Sequence, residues 1–456
     1  MDGLVLLLSR VQFGLEAGLH FIFPPTTLGL AFFILLVESA YLFTKKEEFK
    51  KLSNFAIRLL TLVFALGVAT GLPLPFAFGM NWAEFSKHAG SYFGVQLAVE
   101  ATVAFTLESV FIGVLFFGRD KMKPVWYWLS AVFVFLGSHV SALIIIMANS
   151  WMQTPAGVHL DAATGKLIMD SFWAVNFNPS TLLRFLHTIT GAWMTAAFLL
   201  VAAAAWHFKH EREVPLAKTL MLWAGSVALV AAIAMPLIGH ASTLEIEKTQ
   251  PAKGAAMEGI YETQKNAPLY FFGWVDEATK TTSGFSVPGM LSWFYTFDTN
   301  FEVKGLNDPA LLAKTGGQIP PVNAIFQSFR LMVLTGTTAL GVILLAMIFF
   351  WKDTLIRKKK SLNVVIWTSV LPYVSLLSGW FTAEVGRQPF IIYPFDNYPG
   401  MVLQQAITQN QSEGNVWFSL IFFNLVYVVV YIVFFRFLPK MIKAGISGGH
   451  SEGGKA

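Results

Sequence analysis

The sequence predicts an all-α polytopic membrane protein with nine transmembrane helices, an N-terminus outside and a C-terminus in the cytoplasm. Of its 456 residues, 55% are hydrophobic and only 13% are charged, about half the charged fraction of a soluble globular protein. The mean hydropathy is +0.58. The apolar residues also gather into runs that reach the roughly 20 residues a helix needs to cross a bilayer. These observations exclude an ordinary soluble enzyme.

Nine apolar runs, each bounded by charged or turn residues, predict the membrane spans. They lie near 11–42, 53–78, 92–118, 124–150, 181–207, 217–240, 323–351, 362–385 and 413–438. Alternate connections are rich in Lys and Arg, and this set contains Lys45, Lys46, Lys50, Lys51, Arg119, Lys121, Lys123, Lys209, Arg212, Lys218, Lys352, Arg357, Lys358, Lys359, Lys360, Lys440 and Lys443. The short loops of the other set hold little beyond Lys87, Lys166 and Arg387. The positive-inside rule therefore predicts an outer N-terminus and an inner C-terminus.

The spans divide the chain into four parts. These are helices 1–6 in 1–240, an extracytoplasmic loop in 241–322, helices 7–9 in 323–440 and a cytoplasmic tail in 441–456. The loop is polar, mixed in charge and weak in hydrophobic periodicity, and a connection of this length is typically functional or disordered. The tail, rich in Gly, Ser and Lys, is expected to be unstructured.

The chain contains no cysteine. It therefore cannot hold an iron–sulfur cluster, a thiolate copper centre or a covalently attached c-type haem, and it cannot form a disulfide. A redox metal in this protein must be held by His, Met or carboxylate side chains.

Ionisable and ligand-type residues lie inside the predicted spans, where each one is a functional-site hypothesis because it is costly in hydrocarbon. They are His20, Glu100, Glu108, His139, Arg184, His187, Arg330, Met332 and Glu384. Four spans deliver His20, His187, Met332 and Glu384 to one outer layer, a convergence that suits haem. A His187–Met332 pair would make a low-spin carrier, and His20 alone would leave a sixth position open. The structural alternative, packed and hydrogen-bonded core residues, applies to any one of them.

Glu100 and Glu108 lie eight residues apart on the third span, about 80° apart around the helix and about 12 Å apart along it. Two carboxylates at different depths suit a proton relay, because each can take and release a proton. The structural interpretation is ion pairing with Arg184 or Arg330, and it does not exclude a relay. Those arginines are also well shaped to bind haem propionates.

Six segments that contain these residues, in this order, resemble subunit I of the cytochrome bd-type quinol oxidases. They are RVQFGLEAGLHFIFPPTTLGLAF, LAVEATVAFTLES, SALIIIMANSWMQTPAG, RFLHTITGAW, SFRLMV and WFTAEVGRQPF. The last is the most diagnostic, since the family is known by a GRQPW signature. Here that signature ends in Phe390, which keeps an aromatic ring and loses an indole donor.

The resemblance implies a haem-containing terminal respiratory oxidase that oxidises quinol and reduces O₂ to water, generating a proton motive force without pumping protons. His187 and Met332 would be the axial ligands of a low-spin haem b. His20 and Glu384 would serve a high-spin haem b and a haem d. Which residue serves which haem stays open, as does a haem b in place of haem d.

Further roles follow from the same resemblance. Glu100 would lie by the oxygen-reducing site, Glu108 on the proton path, and Trp380 beside the haems as an electron bridge. Arg330 and Arg387 would stabilise the low-spin haem and the nearby charges. The expected partners are oxidase subunit II, a small single-span subunit, quinol, O₂ and the lipid bilayer of a bacterial or archaeal cytoplasmic membrane, with no nucleic acid.

The long outer loop resembles the shorter form of the family's quinol-binding loop. Its QPAKGAAMEGIYETQ stretch matches the part that carries a functional Lys and Glu, here Lys253 and Glu258. A solvated charged loop is the alternative interpretation of the same residues. Two rival functions stay open at this point: a haem oxidase with a donor other than quinol, and a non-redox ion transporter that uses the buried carboxylates.

Overall fold

The computed structural model describes residues 3–447, and the last nine residues of the predicted tail lie outside the described range. The helices of the first half are α1 (Gly3–His20), α2 (Phe23–Thr44), α3 (Glu47–Gly71), α4 (Pro73–Met80), α5 (Ala83–Val99), α6 (Phe105–Phe117), α7 (Pro124–Gln153), α8 (Phe172–Asn176) and α9 (Thr181–Lys209). Those of the second half are α10 (Val214–Thr249), α11 (Pro251–Glu258), α12 (Met290–Thr296), α13 (Pro309–Lys314), α14 (Val322–Trp351), α15 (Lys359–Thr368), α16 (Leu371–Val385), α17 (Leu403–Ala406) and α18 (Glu413–Ala444).

Nine helical units within residues 3–447 are long and apolar enough to cross a membrane, so the predicted number of spans is confirmed. Three units are single helices in the sequence prediction but are broken in the structure next to a proline. The breaks lie before Pro24 in α1–α2, at Pro73 in α3–α4 and near Pro372 in α15–α16. Proline cannot donate to the preceding turn, and each break frees backbone groups inside the bundle.

The centre of the bundle is α9, the most buried of the nine spans. It packs against α2 and α10 through small residues. A β-carbon on Gly29 of α2 would lie 2.5 Å from the carbonyl oxygen of Ala192, so only glycine allows the two backbones to approach this closely. Buried alanines along α9 and α10, among them Ala204 and Ala224, continue the seam. Small residues at helix contacts are typical of membrane bundles.

The outer loop is folded, in contrast to its weak periodicity in the sequence. Helix α10 runs to Thr249, nine residues beyond the predicted span, and α11, α12 and α13 follow in the loop. Strands β3 (Leu269–Asp276) and β4 (Thr281–Val287) form an antiparallel hairpin. The loop has its own small core around the fully buried Phe326, at the outer end of α14.

Two further two-stranded sheets lie in the other outer connections. Strands β1 (Val158–Leu160) and β2 (Leu167–Met169) pair between α7 and α8, and β5 (Phe390–Ile392) pairs with β6 (Met401–Val402) after α16. At the opposite end of the bundle, Arg119 forms an ion pair with the buried Glu38 and donates to Ser53 at 2.9 Å. These contacts tie together the ends of α2, α3 and α6 that lie away from the long loop.

Candidate functional site

His20 is the last residue of α1 and stands at the break in the first membrane-crossing unit. Its Nδ1 lies 3.0 Å from Oγ1 of Thr70 on α3. The Thr70 hydroxyl lies 3.0 Å from the carbonyl oxygen of Leu66 and 3.1 Å from that of Gly67, and a proton donated to either leaves its oxygen to accept from the imidazole N–H. The Nε2 atom then carries the free lone pair, the arrangement of an imidazole oriented to bind a metal. A β-carbon on Gly71 would lie 3.0 Å from Cε1 of His20, so the ring rests directly on α3.

His187 lies about two turns into α9 from its outer end. Its Nδ1 is buried and has no hydrogen-bond partner. The ring lies close to α10, where a β-carbon on Gly239 would be 3.6 Å from Cε1. Arg184, one turn earlier on α9, donates through Nη1 to Oδ1 of Asn149 at 3.0 Å.

Met332 lies on α14 against α16. A β-carbon on Gly379 of α16 would be 2.7 Å from its Sδ, and the carbonyl oxygen of Met332 accepts a hydrogen bond from Ser375 at 2.9 Å. The sulfur position is therefore set by the close packing of these two helices.

Trp380, one residue after Gly379, reaches the end of α1. Its ring is half-buried and lies 3.4 Å from the position of a β-carbon on Gly18. The ring centroids of Trp380 and Phe21 are 6.3 Å apart. Trp380 therefore lies beside the helix end that carries His20.

Glu384 has three hydrogen-bonding neighbours near the end of α16. Its Oε2 accepts from Nη2 of Arg387 at 2.7 Å. Its Oε1 accepts from Asn149 at 2.9 Å and from Gln153 at 3.4 Å, both on α7. The carboxylate is thereby held at the junction of α7 and α16, and Asn149 links it to Arg184 on α9.

Lys253 of α11 is almost completely buried, which is unusual for lysine. Its Nζ donates to Oε1 of Gln153 and, at 2.7 Å, to Oε1 of Gln250. Burial lowers the pKa of this ammonium well below its usual value, Arg184 lowers it further, and Glu384 acts in the opposite direction. Within residues 3–447 its amino group is therefore bound by two amide oxygens and has no carboxylate in hydrogen-bond contact.

Glu258, the last residue of α11, is buried and forms an ion pair with Arg330 of α14. The distance from Nη2 to Oε2 is 2.6 Å. The Arg330 guanidinium also lies 4.6 Å from the centroid of the Phe326 ring. The sequence suggested Glu258 and Arg330 for different roles, whereas the structure places them in one contact.

Glu100 and Glu108 are separated by a π-helical segment, Glu100–Ala104, between α5 and α6. A π-helical turn holds one extra residue, so the eight-residue separation behaves like seven α-helical residues. The two side chains then differ by only about 20° around the axis instead of about 80°. Ser141 donates to Glu100 at 2.6 Å, whereas Oε1 of the buried Glu108 has no partner.

The alternative of ion pairing for these carboxylates is wrong within residues 3–447. Neither Glu100 nor Glu108 forms an ion pair with Arg184 or Arg330, which contact Asn149 and Glu258 instead. The structural interpretation is correct for His139. Its Nδ1 lies 2.8 Å from the carbonyl oxygen of Phe135, and its Nε2 accepts from Trp193 at 3.0 Å.

Sequence reasoning missed four polar residues that connect the site: Thr70, Asn149, Gln153 and Gln250. Asn149 and Gln153 lie within the SWMQTPAG segment and its preceding turn, which the resemblance singled out without a role. An amide or hydroxyl carries no charge, so its occurrence in a membrane span does not by itself indicate a functional site. In the described part of the chain no three His, Asp or Glu side chains converge on a metal site; the ligand-type residues come singly from separate helices.

The comparisons with known proteins agree over nearly the whole chain. The family model for cytochrome bd terminal oxidase subunit I matches residues 8–446. Cytochrome bd-II ubiquinol oxidase subunit 1 of Escherichia coli (strain K12) is 31% identical, with 98% of each chain covered. Cytochrome bd ubiquinol oxidase subunit 1 of Bacillus subtilis (strain 168) is 32% identical, with 98% of this chain and 96% of that protein covered.

Solved structures show the same fold. The structure of bd oxidase from Geobacillus thermodenitrificans superposes with a TM-score of 0.86 at 26% identity, and covers 98% of this chain and all of that chain. Family model, relatives and fold therefore agree with nine apolar helices in a multi-pass protein of the bacterial inner membrane. The chain belongs to the cytochrome bd terminal oxidase subunit I family, the haem-containing membrane subunits of terminal respiratory oxidases.

Proposed function

We propose that this chain oxidises quinol and passes the electrons through three haems to O₂, which is reduced to water. The names of the relatives support quinol as the donor. The observation that carries the haem assignment is geometric. His20, His187 and Met332, from three different spans, each lie against a glycine of a neighbouring helix, namely Gly71, Gly239 and Gly379.

The residues present fit a haem-binding site. When bound, haem supplies one-electron transfer at iron and, where one axial position is open, a place for O₂. His187 and Met332 would hold a low-spin haem b, and the unpartnered Nδ1 of His187 shows that no neighbouring side chain competes for that ring nitrogen. His20 and Glu384 would serve a high-spin haem b and a haem d, or a second haem b in its place. Thr70 orients His20 with Nε2 free.

Two arginines would hold the negatively charged edges of these haems. Arg387 is buried, and its Nε and Nη1 have no hydrogen-bond partner; the Nε of Arg330 is also unpartnered. Buried guanidinium N–H groups without acceptors are costly, and propionate groups would satisfy them. Trp380, next to the end of α1, would lie beside the haems as an electron bridge.

Lys253 and Glu258 would bind quinol at the outer surface. Both are buried on the short helix α11, between α7 and α14. The Glu258 carboxylate can accept a hydroxyl proton as quinol is oxidised, and its contact with Arg330 holds that carboxylate in position. Burial of Lys253 and Glu258 in a folded loop is an argument against a donor other than quinol.

Protons for water formation would enter from the inner side along α6 and α5. Glu108 would lie deeper toward that side than Glu100, and the extra residue of the π-helical segment supports a shared face for the two carboxylates. Protons released by quinol outside and consumed from inside make the reaction electrogenic without a pump. The subunit numbers in the relatives' names support a partner subunit II, and a small single-span subunit is proposed as well.

The experiment that tests this function uses the purified complex and its Glu258→Ala variant. The reduced-minus-oxidised absorption spectrum of the wild type is expected to show haem bands, with a red chlorin band if haem d is present. Glu258→Ala is expected to lower quinol-driven O₂ consumption roughly a hundredfold, the effect of losing a positioned proton acceptor, with the haem spectrum intact. A colourless wild type would support the ion-transporter alternative, and normal quinol turnover in the variant would remove Glu258 from the site.

A further inference from the structure

The side chain of Gln153 lies between the outer loop and α16. It is the last residue of α7 and is completely buried. Its Oε1 accepts from Nζ of Lys253. Its Nε2 donates to the carbonyl oxygen of Ala383 at 3.1 Å and to Oε1 of Glu384 at 3.4 Å. One amide therefore touches both the buried lysine of α11 and the carboxylate of α16.

The chemistry of the partners fixes the orientation of this amide. The backbone carbonyl of Ala383 can only accept, so the nitrogen of Gln153 must face α16 and its oxygen accepts from Nζ of Lys253. The amide dipole then has its negative end at the Lys253 amino group and its positive end at the Glu384 carboxyl group. The opposite orientation would place the amide oxygen against the carbonyl oxygen of Ala383, and two facing acceptors are costly in a buried environment.

Two neighbouring amides each make only half of this connection. Gln250 accepts from Lys253 at 2.7 Å, and its own Nε2 is buried without a partner. Asn149 donates to Glu384 at 2.9 Å and accepts from Arg184 at 3.0 Å. Among the hydrogen bonds of residues 3–447, only those of Gln153 join Lys253 to Glu384 through a single side chain.

We propose that Gln153 is a positioning residue that couples the quinol-binding Lys253 to the haem-binding Glu384. This inference rests on the proposed roles of those two residues. The amide holds the ammonium and the carboxylate in one hydrogen-bonded unit, so a change at the quinol loop alters the field and the position of the carboxylate beside the haem. The quinol site and the haem beside Glu384 are thereby linked through hydrogen bonds of the protein as well as through electron transfer.

The first test compares Gln153→Leu with Gln250→Leu in the intact oxidase complex. Each variant removes one hydrogen bond to Lys253. The loss of one such bond weakens the binding of a ligand that Lys253 holds by roughly tenfold. Both are therefore expected to raise the quinol KM roughly tenfold. Only Gln153→Leu is expected to shift the absorption spectrum and midpoint potential of the high-spin haems as well. Identical haem properties in the two variants would overturn the coupling.

The second test is a double-variant cycle that does not depend on how well Gln153→Leu packs. Lys253→Met is made in the wild type and in Gln153→Glu, which keeps an acceptor for Lys253 and replaces the donor to Glu384 by a carboxylate. The high-spin midpoint potential is expected to respond to Lys253→Met in the wild type and to respond to less than half that extent in Gln153→Glu. Equal responses in both backgrounds would contradict a link through the amide nitrogen.

The same measurements separate this inference from the proposed function. If Lys253→Met leaves the quinol KM unchanged, the quinol site is wrong and the coupling is overturned with it. If Lys253→Met raises the quinol KM but the haem midpoint potentials are the same in every Gln153 variant, the quinol site is supported and only the coupling is overturned.

Discussion

At the scale of single residues, the proposed haem ligands are positioned by glycines that the sequence did not single out. Gly71, Gly239 and Gly379 lie on helices that neighbour the ligands, and the contact of Gly379 with Met332 is the tightest of the three. Their role depends on which helices meet, and the hydropathy of a span carries no information about that. The ligand types could be predicted because a His or a carboxylate in hydrocarbon is rare, whereas a glycine there is common.

Gly379→Ala is predicted to displace Met332 and to reduce the low-spin haem signal. The added methyl group would lie 2.7 Å from Sδ, and overpacking of this kind costs about 1–3 kcal/mol. The measurement is the reduced-minus-oxidised spectrum together with haem content. Gly341→Ala on the same span as Met332 is the control, since nothing lies within 4 Å of its β-carbon position. Equal spectra of the two variants would show that Met332 does not depend on this contact.

The contact between Glu258 and Arg330 could not be predicted from the two residues alone. Arg330 was selected as a charge inside a span and Glu258 through the resemblance of the loop, whereas their pairing at 2.6 Å depends on the fold of the outer loop. Removing one partner of a buried pair typically costs 3–5 kcal/mol, so Arg330→Met is expected to destabilise the loop as well as any haem it binds. A role for Arg330 at the haem and a role beside Glu258 are compatible, because its Nε stays unpartnered.

At the scale of elements, the third span departs from regular α-helix where it matters for the proposed proton path. The π-helical segment Glu100–Ala104 turns Glu100 toward the face of Glu108. Sequence periodicity assumes 3.6 residues per turn throughout, so the separation of about 80° was wrong for this span. A π-helical turn is frequent at functional sites, and its position at the first of the two carboxylates supports a role for both.

Insertion of one alanine after Val103 is predicted to abolish most O₂ reduction while the haems remain bound. The π-helical turn already holds one extra residue, so a further residue rotates Glu100 by about 100° relative to Glu108. Val103 is exposed on the surface of the bundle, so the insertion disturbs little packing at this position. Turnover and haem spectrum are both measured, with Val103→Ala as the matched control. Full turnover in the insertion variant would remove the alignment of the carboxylates from the mechanism.

The outer loop is the element for which the sequence was least informative. It was expected as a functional or disordered segment, and it contains three short helices, a hairpin and a core around Phe326. The hydrophobic residues of the loop are spread over short elements, so no single window shows a period. The proposed quinol residues Lys253 and Glu258 were found through family resemblance, since buried charges on a helix of eight residues leave no periodic signal.

At the scale of the whole molecule, the number of spans was the most predictable feature. Backbone polar groups must be satisfied inside a bilayer, so long apolar runs have few alternatives to helix. The breaks at prolines and the extension of α10 to Thr249 were not predicted. The point where a helix ends near or beyond the membrane surface depends on how it packs against the loop. The orientation in the membrane rests on the Lys and Arg distribution and stays a prediction.

Thiol labelling can test that orientation directly, because the chain contains no cysteine. Lys280→Cys in the β3–β4 turn is predicted to react with a membrane-impermeant maleimide added to intact cells. Lys121→Cys, exposed between α6 and α7, is predicted to react only after the membrane is opened. The reverse pattern would place the outer loop in the cytoplasm and would contradict the proposed side of quinol oxidation.

The central claim is that side chains from separate spans bind haem iron near the outer surface, and the most direct measurement is the low-spin haem signal of His187→Ala and Met332→Ala. Each variant is purified as the whole complex, with retained subunit composition and thermal unfolding as the check on folding. Both are predicted to lose the low-spin bands of the reduced-minus-oxidised spectrum together with quinol oxidation, while the high-spin bands persist. Folded variants with wild-type low-spin spectra would contradict the account.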